Sequence, residues 1–175
     1  MEKQARDQIL EIIEQFHLPK YEEIPDVGLY LDQTVKYVNA FFTQIPNVEL
    51  TSSMVSNYVK KGLIERPVKK AYNRDQICYL IFITLAKTVL TMENIQILFA
   101  AQRKVYEAKV AYEYLRLELD NVLNYVFGLK DTIDNVGVTV SDEKELLRNT
   151  IMVISHKIYL ELCFDFIRRK ENKKD

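Results

Sequence analysis

Residue types that could carry out chemistry are few and scattered in this 175-residue chain. Its two histidines, His17 and His156, have no Cys, His or carboxylate at metal-ligand spacing, so the sequence offers no metal site and implies no cofactor. Cys78 and Cys163 each stand alone inside an apolar stretch and read as small hydrophobes rather than as nucleophiles or a disulfide. Four glycines cannot readily build a phosphate-cradling loop, and no nucleophile elbow is present. Glu22, Glu23, Glu113, Glu118 and Asp120 read as solvated faces of helices or loops. The expectation is a protein that is not an enzyme.

One stretch, Thr51 to Arg74, has a mechanism. The net charge of −1 conceals an uneven distribution. Residues 1–49 carry a net −5, whereas residues 50–74 carry Lys60, Lys61, Arg66, Lys69, Lys70 and Arg74 against Glu65 alone, a net +5. A short basic island in an acidic chain is the pattern of a localised polyanion site. Thr51, Ser52 and Ser53 are N-cap residues at the start of a short helix, whose free amides and small hydroxyls suit a phosphate or a base edge. Ser56, Asn57, Lys60 and Lys61 lie off the apolar stripe of Met54, Val55, Tyr58 and Val59 and can face outward. Asn and Ser can read base edges while lysines neutralise phosphates. An ordinary solvated basic face is the bland alternative.

The surrounding elements must position this stretch. Ile9, Leu10, Ile12, Ile13 and Phe16 predict an amphipathic helix over residues 3–16, followed by an irregular segment between Pro19 and Pro25. Leu31, Val35, Val38 and Phe42 predict a helix over 29–42, ended by Pro46 and Asn47. Gly62 sits where a helix C-terminus needs a left-handed residue. Glu65 to Ala71, around Pro67, is too short and charged for a helix and reads as a tight two-stranded wing. Asn73 caps a helix through Lys87 that is apolar nearly all round, so it is the expected central helix. Residues 94–127 form either one long helix or two joined near Gln102. The stripe of Tyr112, Leu115, Leu119, Val122 and Val126 has a heptad rhythm that suits a partner chain or this chain's own last helix. Gly128–Val140 reads as a loop. Ser141 opens a final helix striped by Leu147, Ile151, Ile154, Ile158, Leu162 and Phe166, before a polar tail. Tyr106, Tyr112, Tyr114 and Tyr125 fit an amphipathic core edge first and a small-molecule pocket second.

The segments TSSMVSNYVKKGLIERP and AYNRDQI resemble the MerR-type winged helix–turn–helix. In that pattern Tyr58, Lys60, Lys61, Gly62, Leu63 and Ile64 match the end of the recognition helix. Tyr72 and Asn73 match the re-entry after the wing, and Thr91 to Ile95 matches the capped fourth helix. LPKYEEIPDVGLYLDQTVKYVN further resembles an uncharacterised bacterial family of predicted MerR-like transcriptional regulators. Ser56 stands where MerR recognition helices usually carry Arg, the wing is short, and the cysteine spacing of the metal-sensing members is missing, so metal sensing does not carry over.

Together these readings predict an all-α protein with a minimal β wing, divided into a DNA-binding half over 1–100 and a helical dimerisation or sensing half over 101–175. The implied partner is double-stranded DNA, contacted through Thr51, Ser52, Ser53, Ser56, Asn57, Tyr58, Lys60, Lys61, Arg66, Lys69, Lys70, Tyr72 and Arg74. The implied assembly is a homodimer, which the resemblance places on a helix after the winged domain, here the Tyr112–Val126 seam. The charged N-terminal segment, the lone cysteines and the lack of any run near the roughly 18 apolar residues of a membrane span fit a cytoplasmic protein.

Overall fold

The computed structural model describes residues 3–137 and 141–172. The end of the expected 128–140 loop, the first two residues and the last three of the polar tail lie outside the described residues. The architecture is mainly helical, with seven α-helices and one two-stranded sheet among the described residues. In order they are α1 (Lys3–Gln15), β1 (Leu29–Tyr30), α2 (Leu31–Ala40), α3 (Ser52–Lys60), β2 (Ala71–Tyr72), α4 (Arg74–Ala86), α5 (Met92–Gln102), α6 (Ala108–Val126) and α7 (Asp142–Glu171).

Capping chemistry sets most helix starts. The side chains of Thr51, Asn73, Thr91 and Ser141 accept from Met54, Gln76, Asn94 and Lys144 backbone amides, satisfying donors that a helix start leaves open. Asn73 and Gln76 bond each other's backbone reciprocally, a capping box that fixes the start of α4 just after β2. Gly62, at φ +72, ends α3, and the Leu63 amide bonds back to the Tyr58 carbonyl at 3.0 Å.

α4 is buried on every side, as its sequence predicts, with Ile77, Leu80, Ile81, Ile83, Leu85 and Ala86 at 0 % exposure. α6 and α7 pack along each other and both touch α4. One hydrophobic core runs from Ile9 of α1 to Leu162 of α7, so the expected boundary at residue 100 falls inside α5 and within a shared core.

The 94–127 stretch is two helices, α5 and α6. Gln102 Nε2 donates to the Tyr106 carbonyl at 2.8 Å, closing the turn at the break, while the Arg103 side chain leaves for the Leu63 carbonyl at 2.8 Å. The heptad stripe of α6 is spent inside the chain. Tyr112, Leu115, Leu119 and Val122 are buried, Val126 is half-buried, and α7 and α4 cover them. The residues expected at a dimer interface are thus enclosed within a single chain. The alternative that this stripe faces the last helix is the one the packing follows.

Two further differences concern the segment around α3. Leu29 and Tyr30 are a strand, not the first turn of α2. They pair antiparallel with Tyr72 and Ala71, and Gly28, at φ +76, permits the approach, since a Cβ there would meet Ala71 Cβ at 3.2 Å. The expected wing is correspondingly reduced. Val68 bridges Ala71 across a turn made by Lys69 and Lys70, and the strand that follows turns back to β1.

Candidate nucleic-acid interface

α3 is amphipathic, with Val55 and Tyr58 buried and Ser53, Ser56, Asn57 and Lys60 exposed on one face. These exposed positions step by three, one and three, the rhythm of a single helical face. The helix is clamped at both ends. At its start, Asn39 of α2 takes both backbone groups of Leu50, each at 2.8 Å, and the Ser52 hydroxyl donates to Asp32 at 3.3 Å. At its end, Gln96 Nε2 of α5 donates to the Lys61 carbonyl at 3.1 Å and Arg103 to that of Leu63. Lys87 adds a third brace from α4, donating to the Glu49 carbonyl and lying 3.1 Å from Met54 Sδ. The connection from α2, residues 41–51, exceeds the roughly three or four residues of a helix–turn–helix turn. Its Phe42, Ile45, Val48 and Leu50 are buried, so it is a packed part of the core rather than a flexible span.

The thirteen residues expected at the site separate by environment. Asn57, Lys60, Lys61, Arg66, Lys69 and Lys70 are exposed, and none makes a side-chain hydrogen bond or ion pair among the described residues. Ser53 and Ser56 are also exposed, but their hydroxyls are engaged within the helix start, Ser53 with Thr51 at 3.0 Å and Ser56 with the Ser52 carbonyl at 2.9 Å. Thr51 and Ser52 serve the cap and the contact to α2.

The other three are set inward. Tyr58 and Tyr72, at 3 % and 5 % exposure, support α3 and β2 from inside, and burial pushes both phenols above their usual range. Arg74 turns inward: its Nε donates to the Ile24 carbonyl at 2.8 Å, and its guanidinium lies 5.1 Å from the Tyr21 ring centroid and 3.9 Å from Asp26. The two tyrosines are thus enclosed beneath the surface, and Arg74 is partly exposed.

The turn at the tip carries strain. Lys69 and Lys70 have φ of +50 and +67, so two consecutive residues with side chains occupy the left-handed region. Hairpin turns of this kind favour Asn-Gly or Asp-Gly because those residues adopt positive φ cheaply. Two lysines there expose two ammonium groups at a cost in backbone energy, and backbone strain of this sort concentrates at functional sites.

Sequence reasoning missed Gln96, Arg103 and Lys87, the residues that brace α3 from behind. Gln96 and Arg103 are seven residues apart and so share a face of α5, but nothing in that spacing names a backbone carbonyl as their target. No helix among the described residues is long and apolar enough to cross a membrane. Among the described residues, no group of three or more His, Cys, Asp or Glu could hold a metal ion.

No curated protein and no solved structure matches this chain. A family described as a domain of unknown function, DUF1836, matches residues 19–115, from ahead of β1 through α5 and into α6. That span is more than half of the chain and contains every residue of the α3 surface and its braces, and the protein belongs to this family.

Proposed function

We propose that this protein binds duplex DNA sequence-specifically and regulates transcription without catalysis, as a MerR-like winged helix–turn–helix protein. The observation that carries this reading is the outer face of α3, where Asn57, Lys60 and Lys61 are exposed and unpaired; the strained Lys69–Lys70 turn adds two more exposed cations. The major groove of B-DNA admits one α-helix, and an Asn on that helix can bond two edges of adenine. Lysines flanking it neutralise phosphates and fix the register. The braces from α2, α4 and α5 hold α3 rigid, which a reading helix needs if its side chains are to meet base edges. The rival reading, an interaction module whose basic face meets an acidic partner, uses the same cations but has no role for Asn57.

In this reading the protein is a homodimer, and α7 supplies the contact. Leu146, Val153, Leu160 and Ile167 recur every seven residues along α7 and are each about half exposed, with Phe164 beside them. A seven-residue apolar repeat suits packing against another helix. Antiparallel pairing with a second copy sets the acidic first turn, Asp142, Glu143 and Glu145, opposite the basic last turn, Arg168, Arg169 and Lys170. Two-fold symmetry then implies inverted half-sites.

Selection of bound duplexes from a random pool, with mobility shifts at low salt, tests the proposal. An enriched inverted motif is the expected result. Failure to retard duplex DNA, or retardation without any enriched sequence, overturns it.

A further inference from the structure

An apolar cavity lies between α4, α5, α6 and the first turns of α7. It is a cavity of about 350 Å³, at the small end of the range that ligand sites occupy. Tyr79 and Phe82 of α4, Phe99 of α5, Tyr112 and Tyr114 of α6, and Leu147 of α7 form much of its wall. The polar residues of the wall, besides these tyrosines, are Gln102, Tyr106, Glu143 and Lys144, and they contribute little of its surface. Gln102 already donates to the Tyr106 carbonyl. The Tyr114 hydroxyl is buried without a hydrogen-bond partner and, having almost no accessible surface, is closed off from the cavity as well as from solvent. Water fits this space poorly, because ordered water needs several polar partners and the walls are mainly aromatic and aliphatic.

We propose that this cavity binds a compact, uncharged aromatic molecule. Aromatic rings on three helices select a flat apolar body.

The same walls reach α3. The Arg103 guanidinium lies 4.5 Å from the Tyr79 ring centroid and 5.3 Å from that of Phe99, and it donates to the Leu63 carbonyl at 2.8 Å. Tyr79 and Phe99 are themselves in edge contact, with centroids 5.1 Å apart. A molecule seated against these two rings fixes the platform on which Arg103 rests, and thereby the turn that ends α3. The regulatory meaning of that link rests on the DNA-binding reading; the site itself does not.

The test uses the full chain and prodan, an uncharged naphthalene ketone whose emission shifts to the blue in apolar surroundings. Titration should give saturable, blue-shifted emission at one molecule per chain. Ala111→Phe and Ala108→Phe fill the cavity from α6 at two different points, and each should abolish the signal while helical circular dichroism is retained. If one of them fails to fold, the other still decides the matter. Hydrogen exchange at the amides of residues 61–63 should slow on saturation with prodan, and this slowing should be lost in Arg103→Ala although prodan still binds. No saturable emission, or equal emission from a folded cavity-filled variant, overturns the site. Unchanged exchange at 61–63 overturns the link to α3. None of these measurements contains DNA, so their failure is distinct from failure of the DNA-binding reading.

Discussion

Replacing Lys69–Lys70 by Asn–Gly separates what the tip costs the fold from what it gives the surface. Both lysines sit in the left-handed region, at φ +50 and +67, where a residue with a side chain is disfavoured by roughly 1–2 kcal/mol. Asn tolerates this region and Gly enters it freely. After the extra chain entropy that Gly loses on folding, the double change should stabilise the protein by about 1 kcal/mol, raising the melting temperature by about 2–4 °C for a chain of this size. The same change removes two exposed cations. If both meet phosphates, the log–log dependence of DNA affinity on salt becomes shallower by about 1.8, so the loss of affinity between 50 and 200 mM salt shrinks by about tenfold. Calorimetry and fluorescence anisotropy on one preparation read both effects. Lys69→Ala with Lys70→Ala is the control, because it removes the charges and keeps the strain. It should match the Asn–Gly variant in salt dependence and fall below it in melting temperature. A melting temperature lowered by Asn–Gly would refute the strained turn, and an unchanged salt slope would refute its contact with phosphate.

Three further outcomes are expected. Asn57→Ala should relax preference at one base position per half-site, by about 1–3 kcal/mol, with nonspecific affinity nearly unchanged, while Lys60→Ala lowers affinity for all sequences alike; selection from a random pool on both variants checks the pair. Val153→Glu with Leu160→Glu should convert the dimer to a monomer in sedimentation, with helical content intact because both side chains are half exposed on the outer stripe of α7. Glu118 has no exposed side-chain surface and lies 3.0 Å from Arg148, and burial raises its carboxyl above the ordinary value of 4.5 because it outweighs the attraction of that arginine. The folded state therefore holds this proton more tightly than the unfolded chain does, and the contribution of Glu118 to stability falls as pH rises from 4.5 through the raised value. Denaturant unfolding as a function of pH should show this decline in the native protein and lack it in Glu118→Gln; an identical pH profile for the two would refute the assignment.

Much of the helical framework was legible because its signals are local. Asn73, Thr91 and Ser141 cap helices where their residue types predicted, and Gly62 adopts the left-handed conformation its position implied. The exposed face of α3 was legible for the same reason, since Ser56, Asn57 and Lys60 lie off an apolar stripe of period 3.6. What escaped the sequence depends on pairing between distant segments. Leu29 and Tyr30 continue the apolar pattern of α2, yet hydrogen bonding to Ala71 and Tyr72 makes them a strand. Tyr58 and Tyr72 carry polar tips that suggest surface contacts, but their rings are enclosed. The heptad rhythm of α6 could not name its partner, because a seam satisfied by α7 and one satisfied by a second chain have the same spacing.

The position of α5 sets a limit on any control of the α3 surface from the cavity. α5 meets the end of α3 through two hydrogen bonds, Gln96 to Lys61 and Arg103 to Leu63, and of these two only Arg103 also rests on rings of the cavity wall. A ligand shifts a conformational equilibrium only by the difference in its interaction with the two states. Here that difference passes through one charge-assisted hydrogen bond and the stacking beneath it. Such a bond contributes about 1.5–3 kcal/mol, and the exposure of Arg103 places it at the lower end of that range. Coupling between the cavity and DNA is thus bounded at roughly tenfold, near the lower end of the range usual for allosteric pairs. α3 is also fixed at its other end by Asn39 and Asp32 of α2, which do not touch the cavity. A molecule in the cavity is therefore expected to change how firmly the end of α3 is held, near Lys60 and Lys61. The start of the helix stays where α2 puts it, so occupancy should alter affinity for phosphate more than the sequence that Asn57 reads.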